Sequence, residues 1–230
     1  MHLLRTTTRL IDEGETAVDL DQSPAEFVFL SFSDSDLGVM AAALEGETQL
    51  TARLASLAML KHPYSIDLYI EKVATKARFV LVRLLGGRDY WRYGADELYA
   101  AARKHGFALA FVPGDSRPDP RLAETSTVAP DMLAQIWALF EAGGETNIRH
   151  LLHWLRSDDE TSSLPKPEAV DAAGLFTAAC RPGLAEAPLA ALIFYRAYLL
   201  AGDTAPIEAC ADALARKGLR VSAVYVSSLK

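Results

Sequence analysis

From Pro188 to Lys230 the chain reads strand, capped helix, strand, and that order constrains the fold more than any other stretch. Leu189 to Tyr195 is a near-continuous apolar run, the pattern of a strand buried on both faces of a parallel sheet. Asp203 and Thr204 offer caps and Pro206 suits a first helical turn. Ile207, Cys210, Ala211 and Leu214 recur at helical spacing before Gly218 stops the helix. Val221 to Val226 then starts a second buried strand. Two strands and one helix bury little by themselves, and a terminal parallel strand leaves apolar side chains and backbone groups without partners. The expectation is an α/β unit that is incomplete at Lys230, with more chain beyond it.

The same alternation runs through the first half. Strand-like runs fall at Leu3 to Thr7, Phe27 to Phe32, Ala52 to Leu57, Phe79 to Leu84 and Phe107 to Val112, with helical patterns between most of them. Ile66, Tyr69, Ile70 and Val73 share one helix face, as do Leu98, Ala101 and Ala102 before His105-Gly106 ends that helix. This grammar predicts a mostly parallel, Rossmann-like or flavodoxin-like sheet with helices on both faces and ligand-binding loops at the carboxyl ends of its strands. Two successive helices are expected at Pro130 to Ala142 and Glu145 to Arg156, separated by Gly143-Gly144. Ser157 to Pro167 reads as a protease-accessible linker with no apolar residue period, and Glu168 to Cys180 as a short helix. The expected organisation is an N-terminal α/β domain with C-terminal helices at 1–156, a linker and short helix at 157–187, and an incomplete second α/β domain at 188–230. No internal repeat of fixed period is present.

Composition narrows the function classes. At 230 residues, 50% of them hydrophobic, the chain can bury a sizeable core. Its apolar runs are shorter than the roughly 20 residues of a membrane span. Thr6, Thr7, Thr8, Arg9, Asp12 and Glu13 interrupt what a secretory leader would need as an apolar segment. These readings place the protein in the cytoplasm with no membrane partner. Cys180 and Cys210, each in an Ala-rich helical setting, are expected to be buried reduced thiols. The net charge is -7 with Lys and Arg dispersed, which argues against a nucleic-acid groove.

Several separate segments, in order, resemble one known family. They are MHLLRTTTRLIDE at the start, FVFLSFSDSDL at Phe27 to Leu37, KHPYSIDLYIEKV at Lys61 to Val73, RFVLVRLLGGRDYWRYG at Arg78 to Gly94 and FVPGDSRPDPRL at Phe111 to Leu122. After a stretch that matches little, Thr161 to Leu184, the likeness returns in YRAYLLAGDTAPIEACADALARKGL and VYVSSLK. Together these resemble the large subunit of the metal chelatases that insert ions into tetrapyrroles, and within them the CobN type of aerobic cobaltochelatase. The resemblance implies an ATP-dependent insertion of cobalt into a corrin precursor, hydrogenobyrinic acid a,c-diamide, on the route to cobalamin. It implies cobalt as substrate, with ATP and magnesium handled by separate AAA+ ATPase partner subunits and no cofactor held by this chain. Chelatase activity is not expected from residues 1–230 alone. The magnesium chelatase large subunit, and a non-catalytic α/β ligand-binding or assembly module, stand as rival readings.

Candidate residues cluster after the predicted strands. Ser31 to Asp36 alternates hydroxyls and carboxylates, which suits either a ligand or a local helix cap by Ser33 or Asp34. Arg83, Gly86, Gly87 and Arg88, then Tyr90, Trp91, Arg92 and Tyr93, combine permissive backbone with stacking side chains. Such a set can hold a flat, acid-bearing macrocycle or a protein partner, or can cover a sheet edge. Trp91 or Arg92 as binding residues would be replaceable with little change in melting temperature. His62, in a loop before Pro63, and Tyr195 and Arg196, at the head of the second matching stretch, complete the binding candidates. His150 and His153 sit three apart on a predicted helix but lack converging partners, so no metal ligand is assigned. Neither GxGxxG nor GxxxxGK[ST] occurs, and no catalytic residue is assigned.

Overall fold

The computed structural model describes residues 16–157 and 164–228. The strand expected at Leu3 to Thr7, and part of the expected linker, lie outside the described residues.

Four parallel strands make the first sheet: β1 (Phe27–Ser31), β2 (Ala52–Ser56), β3 (Phe79–Leu84) and β4 (Ala108–Pro113) in the order β2-β1-β3-β4. Their parallel registers set Leu30 beside Val82, and Val82 beside Phe111. Alternation sends Val28, Leu30, Val80 and Val82 to one face and Phe27, Phe29, Phe79 and Leu81 to the other. Helices α2 (Pro63–Lys72) and α3 (Arg92–His105) cover the first face through Ile66, Tyr69, Leu98 and Ala102. The second face is covered by α1 (Asp34–Leu44), α5 (Pro130–Ala142) and α6 (Glu145–Arg156), with Phe140 stacked 5.7 Å from Phe29 and Trp154 edge-on 5.8 Å from Phe79. Each such side chain withdrawn from water contributes about 1.5–3 kcal/mol, which explains why β1, β3 and β4 are apolar apart from Ser31 and Arg83. This is the flavodoxin-like arrangement expected of the pattern.

The outer edge of β4 is closed by side chains. After the short helix α4 (Pro120–Glu124), Thr127 Oγ1 accepts from the Leu109 amide at 2.8 Å and Ser126 Oγ accepts from the Phe111 amide at 2.9 Å. Those amides would otherwise be a template for another strand.

The second sheet has three strands in the order β5-β7-β6: β5 (Ala173–Leu175), β6 (Leu189–Tyr195) and β7 (Arg220–Val226). After β6 come α7 (Arg196–Leu200) and α8 (Ala205–Arg216), with Thr204 at the N-cap and Pro206 in the first turn. β6 and β7 are parallel, whereas β5 runs antiparallel to β7. Three expectations are corrected here. Glu168 to Cys180 is not a helix but β5 followed by a 3₁₀ turn at Thr177–Ala179. Gly174 disfavours a helix interior, and it lies under Tyr225, where an added Cβ would come 2.5 Å from the phenol oxygen. β7 is therefore not an unpaired terminal strand, since it has neighbours on both sides. β6 is not buried on both faces: Phe194 is 7% exposed, but Leu189 is 60% and Ile193 53%. Its inward residues meet Ala179, Ala211 and Val221 in a small core under α8.

The cysteines are free, but Cys180 is only half-buried behind the 3₁₀ turn and Cys210 is exposed on α8, so the expected pair of buried thiols is also corrected. Leu164, in the stretch read as linker, is buried against the first core rather than held by nothing. The two halves meet where the Gly144 amide donates to the Leu200 carbonyl at 3.2 Å and where Leu200 packs over Gly143.

Candidate functional site at the carboxyl ends of β1 and β3

In this strand order the chain leaves β1 toward β2 on one side and returns to β3 on the other. The crevice between the carboxyl ends of β1 and β3 is where such sheets bind ligands. The residues after β1 begin with a helix cap. Ser33 Oγ accepts from the Asp36 amide at 3.2 Å, which is the local reading of the Ser-Asp run. Asp36 is itself buried and takes a hydrogen bond from Ser31 Oγ at 2.8 Å.

Arg83 lies inside β3 and pairs with Asp36 through Nη1. Its Nε donates to the Pro113 carbonyl at 3.2 Å, its Nη2 lies 3.7 Å from Glu141, and its guanidinium sits 4.8 Å over the Phe140 ring. One cation thus ties β1, β3, β4, α1 and α5 together. A buried ion pair of this kind, with its guanidinium turned inward, is suited to holding strand ends in register. Burial pushes the Asp36 carboxyl above its usual range, opposed by Arg83 and by the Ser31 hydroxyl.

The β3 loop turns through Gly86 and Gly87 with φ of 85° and 75°. A Cβ on Gly87 would stand 2.6 Å from Asp119 Oδ2, so glycine is required there both for the left-handed backbone and for the close carboxylate. Asp119 also accepts from the Arg88 amide at 3.2 Å and from Arg121 at 2.9 Å, while Arg121 reaches Asp89 at 2.5 Å. Arg121 holds the Asp119 carboxyl below its usual range, and Asp119 followed by Asp89 raises the guanidinium in return. These residues wall an open cavity of about 300 Å³ between the β3 and β4 loops, lined by Leu84, Gly86, Gly87, Pro113, Asp119 and Arg121 among others.

The run Asp89 to Tyr93 divides. Trp91 turns inward, 6% exposed, and its indole N–H donates to the Leu60 carbonyl at 2.7 Å. Gly94 makes the room, since a Cβ there would lie 2.2 Å from the ring. The expectation that Trp91 could be removed without loss of stability is therefore corrected. Tyr90 is 65% exposed and meets Phe32 edge-on at 5.1 Å, Tyr93 donates to Asp67 at 2.9 Å, and Arg92 reaches outward 3.9 Å from Asp96. His62 caps α2, its Nδ1 accepting from the Tyr64 amide at 3.1 Å.

Tyr195 and Arg196 belong to the second sheet, at the carboxyl end of β6. Arg196 donates to the carbonyls of Val170 and Asp171 at 2.7 and 3.0 Å, and neither residue bonds to the β1–β3 rim among the described residues. His150 Nε2 lies 3.8 Å from Glu168. Among the described residues no group of three His, Cys, Asp or Glu is placed to hold a metal ion. Sequence reasoning placed Asp36 in the candidate Ser31–Asp36 run but not as the partner of Arg83, and it missed Glu141, Asp119 and Arg121 at the rim. A lone cation inside FVLVRL signals that an acid must be buried nearby, but the sequence does not say which one.

The model of the CobN/Magnesium Chelatase family matches residues 137–230. An aerobic cobaltochelatase subunit CobN from Sinorhizobium sp. is 38% identical across the whole chain, and one from Pseudomonas aeruginosa is 34% identical. Over its whole length the chain is similar to subunits of the CobN/magnesium chelatase family. It covers only 20% and 19% of those two relatives. The catalytic subunit of cobaltochelatase from Mycobacterium tuberculosis superposes with a TM-score of 0.71 at 27% identity, over 89% of this chain and 16% of that one. The α/β architecture expected of the strand and helix pattern is thus also that of a solved chelatase subunit.

Proposed function

We propose that this chain forms part of the large subunit of an ATP-dependent cobaltochelatase, which inserts cobalt into hydrogenobyrinic acid a,c-diamide in cobalamin biosynthesis. One observation carries the reading: similarity at 38% identity across the whole chain to a protein named as an aerobic cobaltochelatase subunit. The magnesium chelatase reading draws only on the family description, which names both branches.

In this reading cobalt is a substrate, and ATP and magnesium belong to AAA+ partner subunits. The reaction takes place in the cytoplasm. No described helix is long and apolar enough to cross a membrane. Insertion requires a deprotonated macrocycle and an ion stripped of water, which a large enclosing protein can favour by excluding solvent. The contribution assigned to this chain is recognition. Tyr90, Arg92 and Tyr93 form an outward rim at the switch point that can stack on and pair with an acid-bearing ring or seat a partner subunit, and the Arg83–Asp36 pair keeps that rim in register.

The test is a chimera in which this chain replaces the matching fifth of the Sinorhizobium subunit. With the ATPase subunits, ATP and cobalt, it is expected to metallate the corrin, while residues 1–230 alone do not. A folded chimera that metallates a porphyrin with magnesium and leaves the corrin untouched would overturn the cobalt reading. Steady insertion by 1–230 alone would overturn the division of labour.

A further inference from the structure

We propose that the open face and free edge of the second sheet seat an amphipathic helix and an adjoining parallel strand, supplied by the remainder of the longer chelatase subunit. The proposal rests on the similarity to that family and not on which metal or macrocycle is used.

The face is mostly apolar, with Arg220 and Ser222 beside Leu189 and Ala191, and among the described residues no helix covers it. Because residues paired across parallel strands point the same way, Leu189, Ile193 and Tyr195 of β6 share one surface with Val224 of β7 and Leu175 of β5. Leu189 is 60%, Ile193 53%, Tyr195 43% and Leu175 61% exposed. The opposite face carries α8 and its core. Contiguous exposed apolar surface of this kind marks an interaction site.

The edge is open as well. The Arg220 amide donates to the Pro188 carbonyl, so by strand alternation the amides of Ala191, Ile193 and Tyr195 point away from β7. The outer amides of β4 meet the hydroxyls of Ser126 and Thr127, yet no hydrogen bond to a neighbouring segment closes the outer side of β6 among the described residues. β7 cannot take the extra strand, because β5 already occupies its other side.

The first sheet shows which occupant completes such a unit. There β1-α1-β2 is followed by α2 on the opposite face and by β3 on the free edge of β1. β6-α8-β7 repeats the opening of that pattern. A right-handed connection from β7 to the free edge of β6 must pass its helix over the face opposite α8, which is the open one. The chain covers only 20% of the Sinorhizobium relative, so such a subunit has ample polypeptide to supply this layer.

Hydrogen exchange resolved to the Leu189–Tyr195 strand tests it. In the 230-residue chain the Ala191, Ile193 and Tyr195 amides are expected to exchange quickly. In the chimera with the Sinorhizobium subunit they should slow by about a hundredfold or more. Ile193→Glu should leave the melting temperature of the short chain unchanged and lower that of the chimera. If the chimera does not fold, the matching strand in the intact Sinorhizobium subunit, compared with its excised fifth, gives the same readout. Fast exchange at these amides in the folded long protein would overturn the proposal. So would protection in the short chain that grows with its concentration, which would assign the surface to a second copy. Either outcome leaves the cobalt-insertion assay unaffected, so the two readings fail separately.

Discussion

β1 and β6 each open a parallel β–α–β unit with a near-continuous apolar run. All five residues of β1 are buried, whereas Leu189, Ala191, Ile193 and Tyr195 of β6 are open to solvent. The difference lies outside the strands. β1 has helices on both sides of its sheet, and β6 has α8 on one side only. An apolar strand sequence therefore records the environment it is suited to. Whether that environment is met depends on a second layer supplied by other residues.

The largest expected effect breaks or upholds this contrast directly. Phe29→Ala in β1 should cost about 3–5 kcal/mol, because it opens a cavity beneath the stacked Phe140 ring. Ile193→Ala in β6 should stay within about 0.5 kcal/mol in this chain. Urea unfolding of both variants measures the difference, and equal costs would show that β6 is covered in solution.

Trp91 and Arg92 repeat the contrast between adjacent residues. Trp91→Ala should destabilise by roughly 3 kcal/mol through lost packing and the orphaned Leu60 carbonyl, and Arg92→Ala by less than about 0.5 kcal/mol. Thermal melts check this. A stable Trp91→Ala protein would return the indole to the binding rim.

Residues of the first sheet were more legible than those of the second for the same physical reason. Phe27 to Ser31, Phe79 to Leu84, Pro130 to Ala142 and Glu145 to Arg156 combine the right period with clear breakers such as Gly143-Gly144, so local pattern and tertiary burial agree. The Glu168 to Cys180 stretch reads as helix because the three residues of β5 are too few to set a period, whereas pairing with β7 and the contact of Gly174 with Tyr225 explain its extended backbone. At the rim, Arg83 and the glycine turn were visible as types. That Arg83 is consumed by Asp36 and Glu141, that Trp91 turns inward over Gly94, and that His62 is a cap are facts of side-chain direction. Sequence spacing does not carry them.

Polar pairs sharpen the comparison at intermediate size. Arg83–Asp36 in the first sheet has both side chains 10% exposed, while Arg181–Asp212 beside the second has them 28% and 49% exposed. Removing one partner of the buried pair strands the other charge. Arg83→Ala should therefore cost about 3 kcal/mol, and the Arg83→Met, Asp36→Leu double variant clearly less than the sum of the single changes. Asp212→Ala should cost no more than about 1 kcal/mol. A double-mutant cycle on each pair gives both couplings. Similar values would mean that water reaches Arg83.

Acid provides the smallest and most local test, through Asp119 at the glycine turn. Arg121 lowers its carboxyl in the folded state, so the folded protein binds this proton less readily than the unfolded chain does. The stability it contributes is present above the unfolded value of about 4 and is lost as pH falls through the lowered folded value. Asp36 has the opposite sign: burial raises it, so its contribution favours folding at low pH and is lost as pH rises through the raised value. Asp119→Asn should thus destabilise at neutral pH by at most about 1 kcal/mol, and the gap from the parent should close below about pH 4. Melts from pH 7 to pH 3 follow that gap. A gap that persists in acid would show that the carboxylate charge is not what holds Gly87, Arg88 and Arg121 together, and that the turn is set by its glycine backbone alone.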